Sequence, residues 1–150
     1  MLRPTGVLPL YAGTLFVGAT LLFAVQPMVG KMILPFLGGS PAVWTTFMVF
    51  FQAVLLAGYA YAHASTAWLG LSRQAALHLA VLALPLAFLP LAVNPGRLTG
   101  SGTSPVLDVL ILLSVSVGLP FFVVSATAPL LQRWFTHTGH REAGDPYFLY

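Results

Sequence analysis

Four polar side chains, Lys31, Gln52, His78 and Asp108, stand inside or beside long apolar runs, and each type brings a different chemistry. The Lys31 ammonium either contacts an anionic ligand or carboxylate in a cavity between helices, or snorkels to lipid headgroups while its stem lies on apolar surface. Asp108 is the only acid beside such a run. It reads as an ion or proton site, or as a first-turn carboxylate that complements a helix dipole. His78 offers a proton carrier, or a ring merely hydrogen-bonded near an interface. The Gln52 amide lies near the middle of its run, where going unsatisfied in hydrocarbon costs on the order of several kcal/mol, so it is expected to face protein or a watery cavity.

Other chemistries find no support in the residue pattern. His137 and His140 are three apart, but no cysteine or nearby third ligand completes a tetrahedral metal geometry. Gly30-Lys31 is not a phosphate loop, because position 25 is Val rather than Gly and position 32 is Met rather than Ser or Thr. There is no nucleophile-base-orienter set, no paired-carboxylate site and no Gly-rich dinucleotide fingerprint. With no cysteine, disulfides and thiolate metal sites are excluded. The chain is thus expected to hold no catalytic residue, metal or cofactor of its own.

The elements that must position the four polar residues follow from composition. Of 150 residues, 58% are apolar and 6% charged, whereas soluble domains run at about 45–50% and about 25%. Most of this chain therefore has lipid rather than water as its solvent. The net charge of +3 comes from six cations scattered singly, which argues against a nucleic-acid partner. A span needs about 20 mostly apolar residues, and four segments reach that length, at approximately 7–25, 42–62, 75–93 and 106–131. The expected fold is an all-α polytopic bundle forming one membrane domain over 1–150, with the lipid bilayer as its partner. The first segment has no small-x-small cleavage site after it and reads as a retained helix.

Local signals refine this picture. Ser40 can cap the second span, with Pro41 at its first position, and Tyr59, Tyr61, His63 and Trp68 suit a headgroup interface at its far end. Ala53 with Ala57, and Gly58 with Ala62, have small-xxx-small spacing for close helix contact. Pro85, Pro90 and Pro120 predict kinks. Ser114, Ser116, Gly118, Pro120, Ser125 and Thr127 give the fourth span a small, polar stripe. The segment from Gln26 to Pro41 reads as a short, stiff, partly apolar loop, 63–74 as a second loop, and Asn94 to Ser104 as a solvent loop. Arg3, Arg73, Arg133 and Arg141 fall on the side of the termini, against Lys31 and Arg97 on the other, which predicts cytoplasmic termini.

Two blocks of sequence carry a family resemblance. One is Gln26-Pro27-Met28-Val29-Gly30-Lys31-Met32-Ile33-Leu34-Pro35, Gly38-Gly39-Ser40-Pro41-Ala42-Val43-Trp44, Phe50-Phe51-Gln52 and Gly58-Tyr59-Ala60-Tyr61-Ala62-His63. The other is Ala126-Thr127-Ala128-Pro129-Leu130-Leu131-Gln132-Arg133-Trp134-Phe135 with Asp145-Pro146-Tyr147-Phe148-Leu149-Tyr150. Together they resemble the N-terminal membrane region of bacterial fused major-facilitator/spermidine-synthase-like proteins over most of 16–150. The resemblance implies a multi-helix domain of the bacterial inner membrane. In longer members, further helices and a soluble domain follow, the latter similar to aminopropyltransferases that use decarboxylated S-adenosylmethionine. It carries over no catalytic residue to this chain. The expectation is that the protein continues past Tyr150 and that this part anchors the soluble domain or moves a polyamine-related solute. The alternatives are a stand-alone transporter module and a non-catalytic anchor or assembly subunit.

Overall fold

The computed structural model describes residues 4–37, 39–88, 104–140 and 143–145. Among them every regular element is helical: α1 (Pro4–Leu37), α2 (Pro41–Leu69), α3 (Leu71–Ala83) continuing as a 3-10 turn (Leu84–Phe88), α4 (Pro105–Leu113), and α5 (Leu119–Phe135) joined to α4 by a π-helical turn, Ser114–Gly118. Three stretches, Gly6–Ile33, Pro41–Leu69 and Val106–Phe135, are long and apolar enough to cross a membrane. The described part of the expected third span, Leu71–Leu86, is shorter. The rest of that span, Pro90 with it, lies outside the described residues, as do Arg3, Arg97, Arg141, Glu142, the 94–103 loop and 146–150. The chain is a helical membrane protein of about four helices.

Helix boundaries depart from the sequence expectation in two places. The stretch beginning at Gln26 is not a loop, because α1 runs through Pro27 and Pro35 to Leu37. Each proline removes one N–H from the ladder, but Val29 and Ile33, one turn apart, are buried with Val43 and Phe47 of α2. Gly30 leaves room for the Phe47 ring, which a Cβ there would meet at 3.4 Å. Packing therefore keeps the helix going where local chemistry suggested a break. The 63–74 loop likewise shrinks to Gly70, which at φ 69° turns the chain sharply between α2 and α3. A left-handed conformation of this kind suits a residue without Cβ.

Starts match better. Ser40 Oγ accepts from the Val43 amide at 3.3 Å, with Pro41 in the first turn, and Ser104 caps α4 in the same way through Leu107. Pro120 has no N–H to offer the Ser116 carbonyl one turn back, and the chain widens into the π turn just before it, so the expected kink takes that form.

The core forms between α2 and the α4–α5 pair. Phe47, Phe50 and Phe51 of α2 pack with Val109, Leu112 and Leu113 of α4, Val117 of the π turn and Phe121 of α5. The Phe51 and Phe121 rings meet edge to face at 4.7 Å, a pairing worth about 0.5–1.5 kcal/mol. Between membrane helices such van der Waals contact replaces water exclusion as the driving force. At the other end of α2, Gly58 and Ala62 lie against Ser125, Ala126 and Leu130 of α5. The second small-residue pair, Ala53 and Ala57, faces outward.

The ring of Tyr11 lies 5.4 Å from that of Phe135, which places the start of α1 beside the end of α5. The α2–α3 turn belongs to this same end, here called the terminal end. Gly39, Ser40 and Ser104 mark the opposite, distal end.

Candidate functional site

Gln74 and His78 are one turn apart on α3 and so share a face, and that face is turned into the bundle while Leu77, Leu79 and Leu82 point out. Gln74 is 0% exposed and His78 2%. Gln74 Oε1 accepts a hydrogen bond from the Trp134 indole N–H of α5. His78 Nε2 lies 3.3 Å from Thr127 Oγ1, and the Thr127 hydroxyl already donates to the Val123 carbonyl at 2.8 Å. The Thr127 oxygen is left as the acceptor. His78 Nε2 must therefore carry the proton and Nδ1 present a bare lone pair, a tautomer assigned from the hydrogen-bond network. The rings of Tyr61 and Trp134 flank the imidazole, each with its centroid 6.0 Å away.

Three polar atoms of this cluster, Gln74 Nε2, His78 Nδ1 and Tyr61 OH, have no hydrogen-bond partner among the described residues. Buried polar atoms left in this state are uncommon. The cluster can donate through the amide, accept at Nδ1 and do either at the phenol. It holds no nucleophile with a base, and no group of three metal-ligating side chains occurs among the described residues.

A cleft of about 160 Å³ opens at the same end of the bundle, lined by Thr66, Gly70, Leu71, Arg133 and His137. Arg133 and His137 are both exposed there. Thr136 Oγ1 and His137 Nδ1 both donate to the Arg133 carbonyl, at 2.7 and 2.9 Å, and Thr138 Oγ1 donates to that of Phe135. The last carbonyls of α5 thus find donors in the tail itself, and the Arg133 guanidinium is not spent on capping its own helix.

Of the four residues singled out by sequence, only His78 enters the buried cluster. Lys31 is exposed on the last turns of α1 rather than in a loop. Asp108 is half-buried in the first turn of α4, after the Ser104 cap. Gln52 was expected to face protein or a watery cavity, and within this bundle it is exposed. It lies on the outward face of α2 with Ala53 and Leu56, because α2 spends its inner face on Phe47, Phe50 and Phe51. Tyr61, expected at a headgroup interface, turns inward, whereas Tyr59, His63 and Trp68 are exposed. Gln74 and Trp134 escaped notice as functional residues. The available signal was the Gln-x3-His spacing on an otherwise apolar α3, which puts two polar groups on one face.

No family model, curated protein or solved structure matches the chain. Fold and site define its class as a helical membrane protein with a polar cluster packed between α2, α3 and α5.

Proposed function

We propose that the chain is the membrane-embedded part of a spermidine-synthase-like fusion protein and holds a soluble aminopropyltransferase-like domain at the cytoplasmic face of the bacterial inner membrane. The observation that carries this is the meeting of the two sequence blocks behind the resemblance. Gly58 and Ala62 of the first block seat on Ala126 and Leu130 of the second, and Tyr61 and Trp134 flank the same imidazole. The start of α1 and the end of α5 share one end, where Arg73 and Arg133 are exposed, and an excess of cations favours the cytoplasmic side.

One outward group calls for a protein or watery neighbour outside this bundle, because the exposed Gln52 amide would be costly against lipid. Polyamine transport has less in its favour at the terminal end. A polycation is recognised by carboxylates and aromatic faces, whereas the cleft offers a guanidinium and an imidazole.

The absence of cysteine from these 150 residues makes their topology directly measurable, since a thiol introduced into them is the only one there. In intact spheroplasts, a membrane-impermeant maleimide is expected to label Ser40→Cys and spare Ser72→Cys, both exposed positions at opposite ends. The reverse pattern would refute cytoplasmic termini. For the fusion itself, expression of the complete gene should give aminopropyl transfer from decarboxylated S-adenosylmethionine to a diamine in the membrane pellet. Expressing the soluble domain without residues 1–150 and the helices that follow them should move that activity to the supernatant; an open frame with no such activity would sink the reading.

A further inference from the structure

We propose that the cleft between the α2–α3 turn and the end of α5 binds an anionic phosphate group. Its volume is about 160 Å³, several times the roughly 30 Å³ share of one water in the liquid. Among the described residues no carboxylate lines it, and Arg133 supplies a guanidinium with the His137 ring beside it. The α5 carbonyls that could neutralise Arg133 are occupied by Thr136, His137 and Thr138. The planar guanidinium fork suits two phosphate oxygens at once. His137 donates through Nδ1 to the Arg133 carbonyl and lines the cleft beside that residue. Gly70 and Leu71 add backbone from the start of α3, where no side chain caps the helix. The thiol-free, positively charged chain has a second exposed arginine at this end, Arg73, outside the cleft lining. That residue separates a built site from general surface charge.

The phosphate can belong to a lipid headgroup or to a soluble molecule, and the test distinguishes them. The purified full chain is mixed in detergent with phosphatidylcholine alone or with added phosphatidic acid, and bound lipids are counted by native mass spectrometry. Phosphatidic acid is expected to be retained over phosphatidylcholine. Arg133→Gln should lower that retention about five-fold or more, Arg73→Gln less than about two-fold, and Arg133→Lys should fall between, because Lys supplies charge without the fork. Inorganic phosphate at constant ionic strength is then added. Displacement of the lipid, or a raised melting temperature in phosphatidylcholine alone, indicates a soluble phosphate ligand, whereas retention without competition indicates the headgroup. Equal losses from Arg133→Gln and Arg73→Gln, or no preference for phosphatidic acid, would overturn the proposal. Arg133 and Arg73 are both exposed, so the variants test binding rather than folding, and an unchanged circular dichroism melt verifies this.

Discussion

Gly58→Leu is expected to prevent α2 from seating on α5. A Cβ at position 58 would overlap Ser125 Oγ and come within 3.1 Å of both the Ala126 amide nitrogen and the Phe122 carbonyl oxygen. Ser125 is itself 0% exposed and donates to the Phe122 carbonyl at 2.7 Å. Its hydroxyl can move aside only by giving up that hydrogen bond inside the packed interface, and the α5 backbone cannot move aside at all. Even Gly58→Ala therefore forces the helices apart by a few tenths of an ångström. Overpacking of this kind costs about 1–3 kcal/mol, against a gain of roughly 1 kcal/mol for Ala over Gly in helix preference. The steric cost wins, and a net loss of about 1 kcal/mol is expected for the alanine and about 3 kcal/mol or more for the leucine. Unfolding by heat or by sodium dodecyl sulfate, followed by circular dichroism of the chain in detergent, measures both. Ser125→Ala in the Gly58→Ala background removes the overlapping atom and should recover at least half of the alanine loss, a coupling that sites in contact show and distant ones do not. Additive losses would mean that α2 and α5 do not meet at Gly58.

Much of this contact was legible in sequence. Gly58 and Ala62 stood at the spacing that lets backbones approach, and the starts expected at 42 and 106 were near the observed Pro41 and Pro105. Spacing alone could not choose between Gly58 with Ala62 and Ala53 with Ala57, since both pairs lie on the same helix. The choice was made by the phenylalanines, because Phe47, Phe50 and Phe51 fix which side of α2 faces α4 and α5. The same rotation sends Gln52 outward, so the side of α2 that this amide occupies was set by its neighbours' bulk rather than by its own polarity. The continuation of α1 through Pro27 and Pro35 was hidden for a similar reason. Proline and glycine are local signals for a break, while the burial of Val29 and Ile33 against α2 is a non-local term that outweighs them.

The buried cluster was half legible. His78 was visible as an ionisable residue on an apolar run, but its partners come from positions 49 and 60 residues away from their α3 counterparts, Thr127 from His78 and Trp134 from Gln74. Pairings at that separation depend on how α3 folds back at Gly70, and a single glycine in sequence does not reveal that it alone makes the turn. The basic rim was hidden for the same reason: Arg133 and His137 read as tail residues until the α2–α3 turn is brought beside them.

Trp134→Phe is expected to destabilise the bundle although its size change is small. Phenylalanine keeps most of the ring contact but removes the indole N–H, leaving Gln74 with neither end of its amide partnered, at 0% exposure. A buried acceptor deprived of its donor costs about 1–3 kcal/mol, and interhelical hydrogen bonds in membranes fall at the lower end, about 0.6–1.7 kcal/mol. A loss of about 1–2 kcal/mol follows for Trp134→Phe. Gln74→Leu alone should also destabilise, since it strands the indole N–H, even though it removes the unpartnered Nε2. The double variant replaces both partners by apolar groups of similar shape, which can be nearly neutral, and it should melt within about 0.5 kcal/mol of the unaltered chain. The pattern to look for is two single losses that cancel when combined. Retention of phosphatidic acid by the double variant should be unchanged, because Arg133 and His137 keep their places at the end of α5 once α3 is seated again. If the double variant is as unstable as the two single losses added together, Gln74 and Trp134 do not share a bond in the folded protein, and α3 is held to α5 by packing alone.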